Sequence, residues 1–353
     1  MILYILSICV LALIPSKLKL RGINDTYLSK ESCNAVKGIF ILLILASHFA
    51  NTYGKGYTNI LDTSYLRIRM ALGQCVVAHF LFYSGYGVMC SVAQKGADYI
   101  KNFPKKRILH TLLVYDCSQI LFLIFQLWRG KSYGLKRFVL AFLAWDSFGN
   151  DNWYIFVILG LYTISWLALK NGRPNRAAAM KVTIGILGFM LFLICAGKER
   201  FWYNSMLCYA LGTWYFVYQS KIEAFLKKDT NYFFVTALVI LFYVVAHNFW
   251  NLNLVMYVLT VLLFAIGIVF ATMKFQIKNR FLIYCGNHLQ GLFLLHRLPM
   301  MLLGSYSFFR SNLYIFFVTM VALTFLLEAM FDRLFQCTRE IDGKAAQNDN
   351  NGT

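Results

Sequence analysis

The stretch Lys37–His48, KGIFILLILASH, places an ionisable side chain at each end of ten uncharged, mostly apolar residues. Such groups are costly within a bilayer unless they face a protein interior or a water-filled cavity, so the two require a shared task. On an α-helix the eleven steps from Lys37 to His48 turn through about 1100°, which returns both side chains to within roughly 20° of one face, about 16 Å apart along the axis. A cation then stands at the membrane edge and an imidazole near mid-bilayer. That arrangement suits a ligand that enters from the Lys37 side and reacts beside His48.

Outward from this helix the chain stays apolar. Its 59% hydrophobic and 17% aromatic content and its mean hydropathy of +0.58 lie outside the range of soluble domains and describe an integral membrane protein. Further apolar runs fall at about 71–94, 108–128, 152–170, 182–197, 201–219, 232–250, 253–273, 281–303 and 312–333. With residues 1–14, which lack the basic start and small-residue cleavage site of a signal peptide, the expectation is an all-α polytopic bundle of about eleven helices. Threading them alternately puts 23 of the 34 Lys and Arg on one side and 11 on the other, so the richer side is cytoplasmic, the N-terminus lies outside and the C-terminus inside. The net charge of +19 is therefore read as orientation, with no nucleic-acid partner. One outer segment, 128–151, runs against the rule with Arg129, Lys131, Lys136 and Arg137; its FVLAFLAW run suggests a re-entrant or interfacial piece. The polar tract 336–353 reads as a disordered cytoplasmic tail. Nine cysteines show no C-x-x-C pair and no zinc spacing, so they read as packing residues, and no metal site is expected.

Four other groups carry chemistry-bearing residues. In AHFLFYSGYGV, residues 78–88, Ser84 supplies a hydroxyl and Gly85 allows close backbone approach, though helix packing alone explains both. The basic tract KNFPKKRILH, residues 101–110, sets Arg107 and His110 on one face beside Lys106; it suits the phosphates of a nucleotide-like donor, or a positive-inside anchor, and Asp116 two turns on is a candidate partner for one of its cations. His288 and His296 are eight residues apart, about 80° around a helix axis, which does not make a tight metal pair. Asp146, Asp151, Asn152 and Trp153 combine acceptors with aromatic rings, as a sugar site does and as an interfacial aromatic belt does.

In order and spacing these segments resemble the acyltransferase 3 family of polytopic membrane acyltransferases, over roughly residues 30–335. That family opens with a helix carrying a basic residue, normally Arg, then ten residues, then His; Lys37 and His48 stand at that spacing. Its F-F-x-x-S-G segment is matched by Phe80, Ser84 and Gly85, with Leu81 for the second Phe. Its R-x-x-R is met by Arg107-x-x-His110, and Asn152-Trp153-Tyr154 is similar to the start of its tryptophan-led helix. The late G-x-x-S-x-x-x-Y-L-x-H keeps Gly286, Leu294 and His296, while Leu289 and Phe293 replace Ser and Tyr.

The resemblance implies ten spanning helices over 31–335, with residues 1–30 adding one N-terminal helix and a basic linker. It implies transfer of an acyl group, commonly acetyl, from cytoplasmic acyl-CoA as co-substrate, with no bound cofactor, to a hydroxyl of a cell-surface or lipid-linked glycan at a bacterial plasma membrane. His48 is then the general base or an acyl carrier. Lys37, Lys106, Arg107 and His110 hold the donor, and Ser84, Gly85, Asp151, Trp153 and His296 line the tunnel or meet the acceptor. The rival class is a transporter or flippase for a glycan lipid or small anion, with Lys37, Asp116 and Glu328 as translocation charges.

Overall fold

The computed structural model describes residues 17–54 and 60–350. The helix read at residues 1–14 lies outside them. A two-residue strand β1 (Lys17–Leu18) precedes helices α1 (Lys30–Tyr53), α2 (Ile60–Leu72) and α3 (Cys75–Phe103). A wide π-helical turn over Pro104–Leu109 leads into α4 (His110–Trp128), then α5 (Leu135–Phe142), α6 (Trp153–Ala168), α7 (Arg176–Cys195), α8 (Leu207–Leu226), α9 (Asp229–Asn248) and α10 (Leu254–Lys274). Strand β2 (Phe275–Gln276) pairs antiparallel with β1, Lys17 opposite Gln276. The chain closes with α11 (Arg280–Asn287), α12 (Leu289–Leu295), α13 (Arg297–Leu303), α14 (Ser307–Ser311) and α15 (Leu313–Asn350), whose backbone is helical into the tract read as a tail.

Among the described residues six stretches are long and apolar enough to cross a membrane, fewer than the eleven expected from apolar runs. One of the eleven, at 1–14, lies outside the described residues, and the run at 201–219 gives α8, which is not among the six; three features of the backbone bear on the rest. The stretch Cys75–Trp128 holds 54 residues in one helical run, but Gly96 breaks it with φ +57°, a conformation that glycine adopts at little cost. The run at 281–303 is divided into the short α11, α12 and α13. The apolar helices Trp153–Ala168 and Leu289–Leu303 fall short of a full span.

Helix α1 occupies the middle of the bundle. Ser29 caps it by accepting the Ser32 amide at 3.2 Å, and 72% of its apolar window is buried, against 11% for α9 at the periphery. It lies antiparallel to α3: Lys37 Nζ sits 5.7 Å over the Tyr83 ring and Phe40 stacks on His79 at 4.3 Å, so one helix advances as the other retreats.

Its closest neighbour is α11, and glycine makes that approach possible. A Cβ on Gly38 would collide with the Leu282 carbonyl, and one on Gly286 with the Asn34 carbonyl. Helices without a hydrophobic drive between them associate through such backbone contact and through hydrogen bonds, here Asn34 Nδ2 to Asn287 Oδ1 at 2.6 Å. Gly286→Val is accordingly expected to destabilise the bundle by about 3 kcal/mol or more, read as loss of the monodisperse fraction in detergent. Gly188→Ala, where an added Cβ meets open space, should behave as the parent. Equal behaviour of the two variants would show that the α1–α11 contact does not hold the bundle.

Candidate functional site

At the Lys30 end of the bundle a cavity of about 710 Å³ opens between α1, α3, α6 and the turn before α4. Lys30 and Lys37 reach it from α1, Ser84 and Tyr83 from α3, and Arg107 from the π-helical turn, with no Asp or Glu among the lining residues. Three cations without a carboxylate make a strongly electropositive hollow, so an anionic ligand fits it. Arg107 is aimed by Tyr99, whose hydroxyl accepts from Nε at 3.2 Å.

The other expected donor residues lie elsewhere. Lys106 is exposed outside the lining, because the turn points successive side chains apart. His110 lines a second hollow of about 170 Å³ with His288, Glu328 and Asp332, where His288 Nδ1 approaches Glu328 Oε1 at 2.6 Å. Gly85 is buried against the Tyr209 carbonyl of α8, and Gly212 of α8 in turn against the Phe82 carbonyl, so Gly85 serves helix packing and takes no part in the lining. Asp116 pairs with neither Arg107 nor His110; its Oδ1 has no hydrogen-bond partner among the described residues.

An aromatic layer closes the inner end of the cavity. Tyr154, at the second position of α6, lines the cavity and packs on Phe293 of α12 at 5.5 Å between ring centroids. Phe293 lies 6.2 Å from the His296 ring. Trp153, one residue before Tyr154, is buried against Phe201 and lines no described cavity.

Beyond that layer His48, Asp151, His296 and Arg297 form one cluster. His48 Nδ1 lies 2.7 Å from His296 Nε2 and 3.1 Å from Asp151 Oδ2. Arg297 Nε donates to the same carboxylate oxygen at 2.6 Å. A row of polar side chains on α4 places Asp151 there. Gln126 Nε2 donates to the Phe148 carbonyl at 2.8 Å, Gln119 Nε2 to Asn150 Oδ1 at 2.6 Å, and the Tyr115 hydroxyl to the Ala141 carbonyl at 3.1 Å. Tyr115, Gln119, Phe122 and Gln126 repeat at three to four residues and so share one helix face. They bury the loop after α5 and leave Asp151 beside α1.

Hydrogen-bond chemistry assigns the protons. His296 Nδ1 is 2.8 Å from the Phe293 carbonyl, which only accepts, so Nδ1 carries the hydrogen and Nε2 is bare. His48 Nδ1 must then donate toward His296 Nε2 and Asp151, leaving the His48 Nε2 lone pair available as a base. Among the described residues nothing bonds to His48 Nε2. Burial opposes ionisation of Asp151, in the loop before α6, but His48, Arg297 and His296 override it and hold the carboxyl well below the usual carboxylate range. An imidazolium formed at His48 therefore has a fixed counter-charge.

The depressed Asp151 carboxyl has a stability signature. A carboxyl with a lowered folded value stabilises fully above its unfolded value, about pH 4, and the contribution is lost as pH falls through the folded value. Asp151→Asn is expected to be less stable than the parent at pH 7 by about 1–3 kcal/mol, with the gap narrowing below pH 4, as read by thermal unfolding in detergent. A gap that does not change with pH would mean that the charge of Asp151 does not stabilise the cluster.

His48, Asp151 and His296 offer three possible metal-ligand atoms within 4.8 Å of one another, as do His288, Glu328 and Asp332. Two nitrogens on one zinc at about 2.0–2.1 Å stand roughly 3.3 Å apart in a tetrahedron. The 2.7 Å between His48 and His296 fits a shared proton instead, and the Asp151 oxygen nearest them already accepts from Arg297 Nε at 2.6 Å. Arg297 was not among the residues singled out in the sequence; its signal was adjacency to His296 in the L-H-R-L run.

Comparison with known proteins identifies a family. The family model described as an acyltransferase domain, acyltransferase 3, covers residues 31–330. No curated protein and no solved structure matches the chain significantly.

Proposed function

The chain belongs to this acyltransferase family of membrane proteins, and we propose that it transfers an acyl group, acetyl by the family resemblance, from acyl-CoA to a hydroxyl of a cell-surface or lipid-linked glycan. The observation that carries the donor assignment is the acid-free cavity with Lys30, Lys37 and Arg107, whose lining residue Tyr154 packs on Phe293, which in turn lies beside His296 of the His48 cluster. The donor's phosphates bind these cations at the cytoplasmic side, and its thioester arm extends past the two rings. His48 Nε2 takes the proton of the acceptor hydroxyl as its oxygen attacks the thioester carbonyl. The new C–O bond forms, the C–S bond breaks, and the His48 imidazolium returns its proton to the leaving thiolate. Asp151 steadies the imidazolium, with Arg297 holding Asp151 in place and His296 Nε2 accepting from His48 Nδ1.

The deciding experiment follows free thiol release from acetyl-CoA by the purified protein, with and without a crude cell-surface glycan fraction. Release that rises with the glycan and yields an acetylated product is the expected result. No release from any short acyl-CoA by a folded protein would refute the assignment.

A further inference from the structure

We propose that the Tyr53 end of the bundle seats a long-chain lipid with a phosphate headgroup, its chain in an apolar groove beside α4 and its phosphate against Arg129 and Lys131. Such a lipid would present the acceptor hydroxyl, a step that rests on the acyltransferase reading above.

The groove measures about 520 Å³ and is lined by apolar side chains alone, among them Phe125 and Trp128 of α4, Leu298 of α13 and Leu326 of α15. Cations stand at its end. Trp128 is the last residue of α4, and the guanidinium of the next residue, Arg129, lies 5.7 Å from the Phe125 ring that lines the groove. Lys131 lines an adjoining polar pocket of about 480 Å³ with Ser132, Tyr133 and Phe148. The two hollows share a wall, since Leu298 lines the groove and packs on the cluster that contains Phe148. Apolar volume ending in cations is the complement of a chain ending in an anion.

The basic segment also lacks another explanation. Arg129, Lys131, Lys136 and Arg137 fall on the side that the distribution of Lys and Arg leaves poor in cations, so they oppose the orientation of the chain. Arg137 is engaged by Asp146 at 3.6 Å and by the Ser147 carbonyl at 3.1 Å. Among the described residues no acid pairs with Arg129 or Lys131, which leaves two exposed cations for a ligand. The groove also shares an element with the reactive cluster: Leu298 and Pro299, which form part of its wall, directly follow His296 and Arg297 in the chain.

Any groove in a bilayer meets lipid chains, so the test must read the headgroup. The full-length protein in detergent is titrated with dioleoyl phosphatidate, dioleoylglycerol, dihexanoyl phosphatidate and inorganic phosphate, following thermal stability and, by native mass spectrometry, bound lipid. Dioleoyl phosphatidate is expected to bind and to raise stability by mass action, with the other three weak or silent. Replacing both cations, Arg129→Gln with Lys131→Gln, should weaken it about 30-fold, and Leu326→Trp, which fills the groove, should weaken it without touching a charge. Equal binding of dioleoylglycerol, or no effect of the double substitution, would reduce the groove to bulk lipid contact and overturn the proposal. An equal response to inorganic phosphate would make it a free-anion site and overturn it too. Thiol release from acetyl-CoA by the parent separates the two readings. Release without phosphatidate binding removes the lipid seat alone, whereas binding without release removes the acyltransferase reading and, with it, the acceptor role of the lipid.

Discussion

His48→Ala is expected to lose acyl transfer by about 10²- to 10⁴-fold, the range that a positioned general base contributes. The loss should fall on kcat, with the stabilisation by acyl-CoA retained, because His48 does not line the cavity assigned to the donor. The fold should tolerate the change, since Arg297 keeps its 2.6 Å contact with Asp151 and His296 keeps its bond to the Phe293 carbonyl. Thiol release and mass analysis of the acylated glycan, beside thermal unfolding of the same preparation, make the measurement. A folded His48→Ala protein with the parent's rate would end the general-base assignment and shift attention to His288, a partly exposed histidine with a carboxylate at 2.6 Å.

Lys37→Ala and Arg107→Ala are each expected to raise the KM for acyl-CoA by about 10- to 100-fold, the cost of one charge-assisted contact, with kcat less affected. Lys37→Glu should do more. It would place a carboxylate in a cavity that has none, where it repels the donor's phosphates and is attracted to Arg107. Lys106→Ala supplies the contrast, since Lys106 is exposed outside the lining and its loss should leave KM near the parent's. If Lys106→Ala raised KM as much as Lys37→Ala, the donor would bind to the basic tract 101–110 as a whole, and the cavity would lose its assigned role.

The central position of α1 was legible because helical spacing is local arithmetic: eleven residues return a side chain to the same face whatever surrounds it. The membrane class was legible from composition for the same reason. The number of crossing helices was not, since hydropathy counts apolar runs and is blind to the continuous backbone that joins 71–94 to 108–128 and to the division of 281–303 into short pieces. Within the site, residue types were readable but partners were not. Asp151 carries the right groups for a sugar, yet its neighbours are Arg297, 146 positions away, and the two imidazoles. The buried row Tyr115, Gln119 and Gln126 that sets the loop before Asp151 looks in sequence like scattered polar residues in a spanning helix. Its purpose becomes visible only when the loop lies against it. Gly85 illustrates the reverse case, a residue whose resemblance to a family motif suggested the tunnel while its surroundings are the backbone of a neighbouring helix.

The rings of Tyr154 and Phe293 have a consequence for the cell as a whole. A protein that takes one substrate from each face of a membrane must let both reach a common point, and an open aqueous conduit through that point would short-circuit any proton gradient the membrane maintains. The rings of Tyr154 and Phe293 pack edge to face between the cationic cavity and the histidine pair, so aromatic faces stand where such a conduit would run. Under the proposed function a slender thioester arm passing the rings would fill the gap it opens, and acyl transfer and electrical insulation would then be compatible in a single bundle.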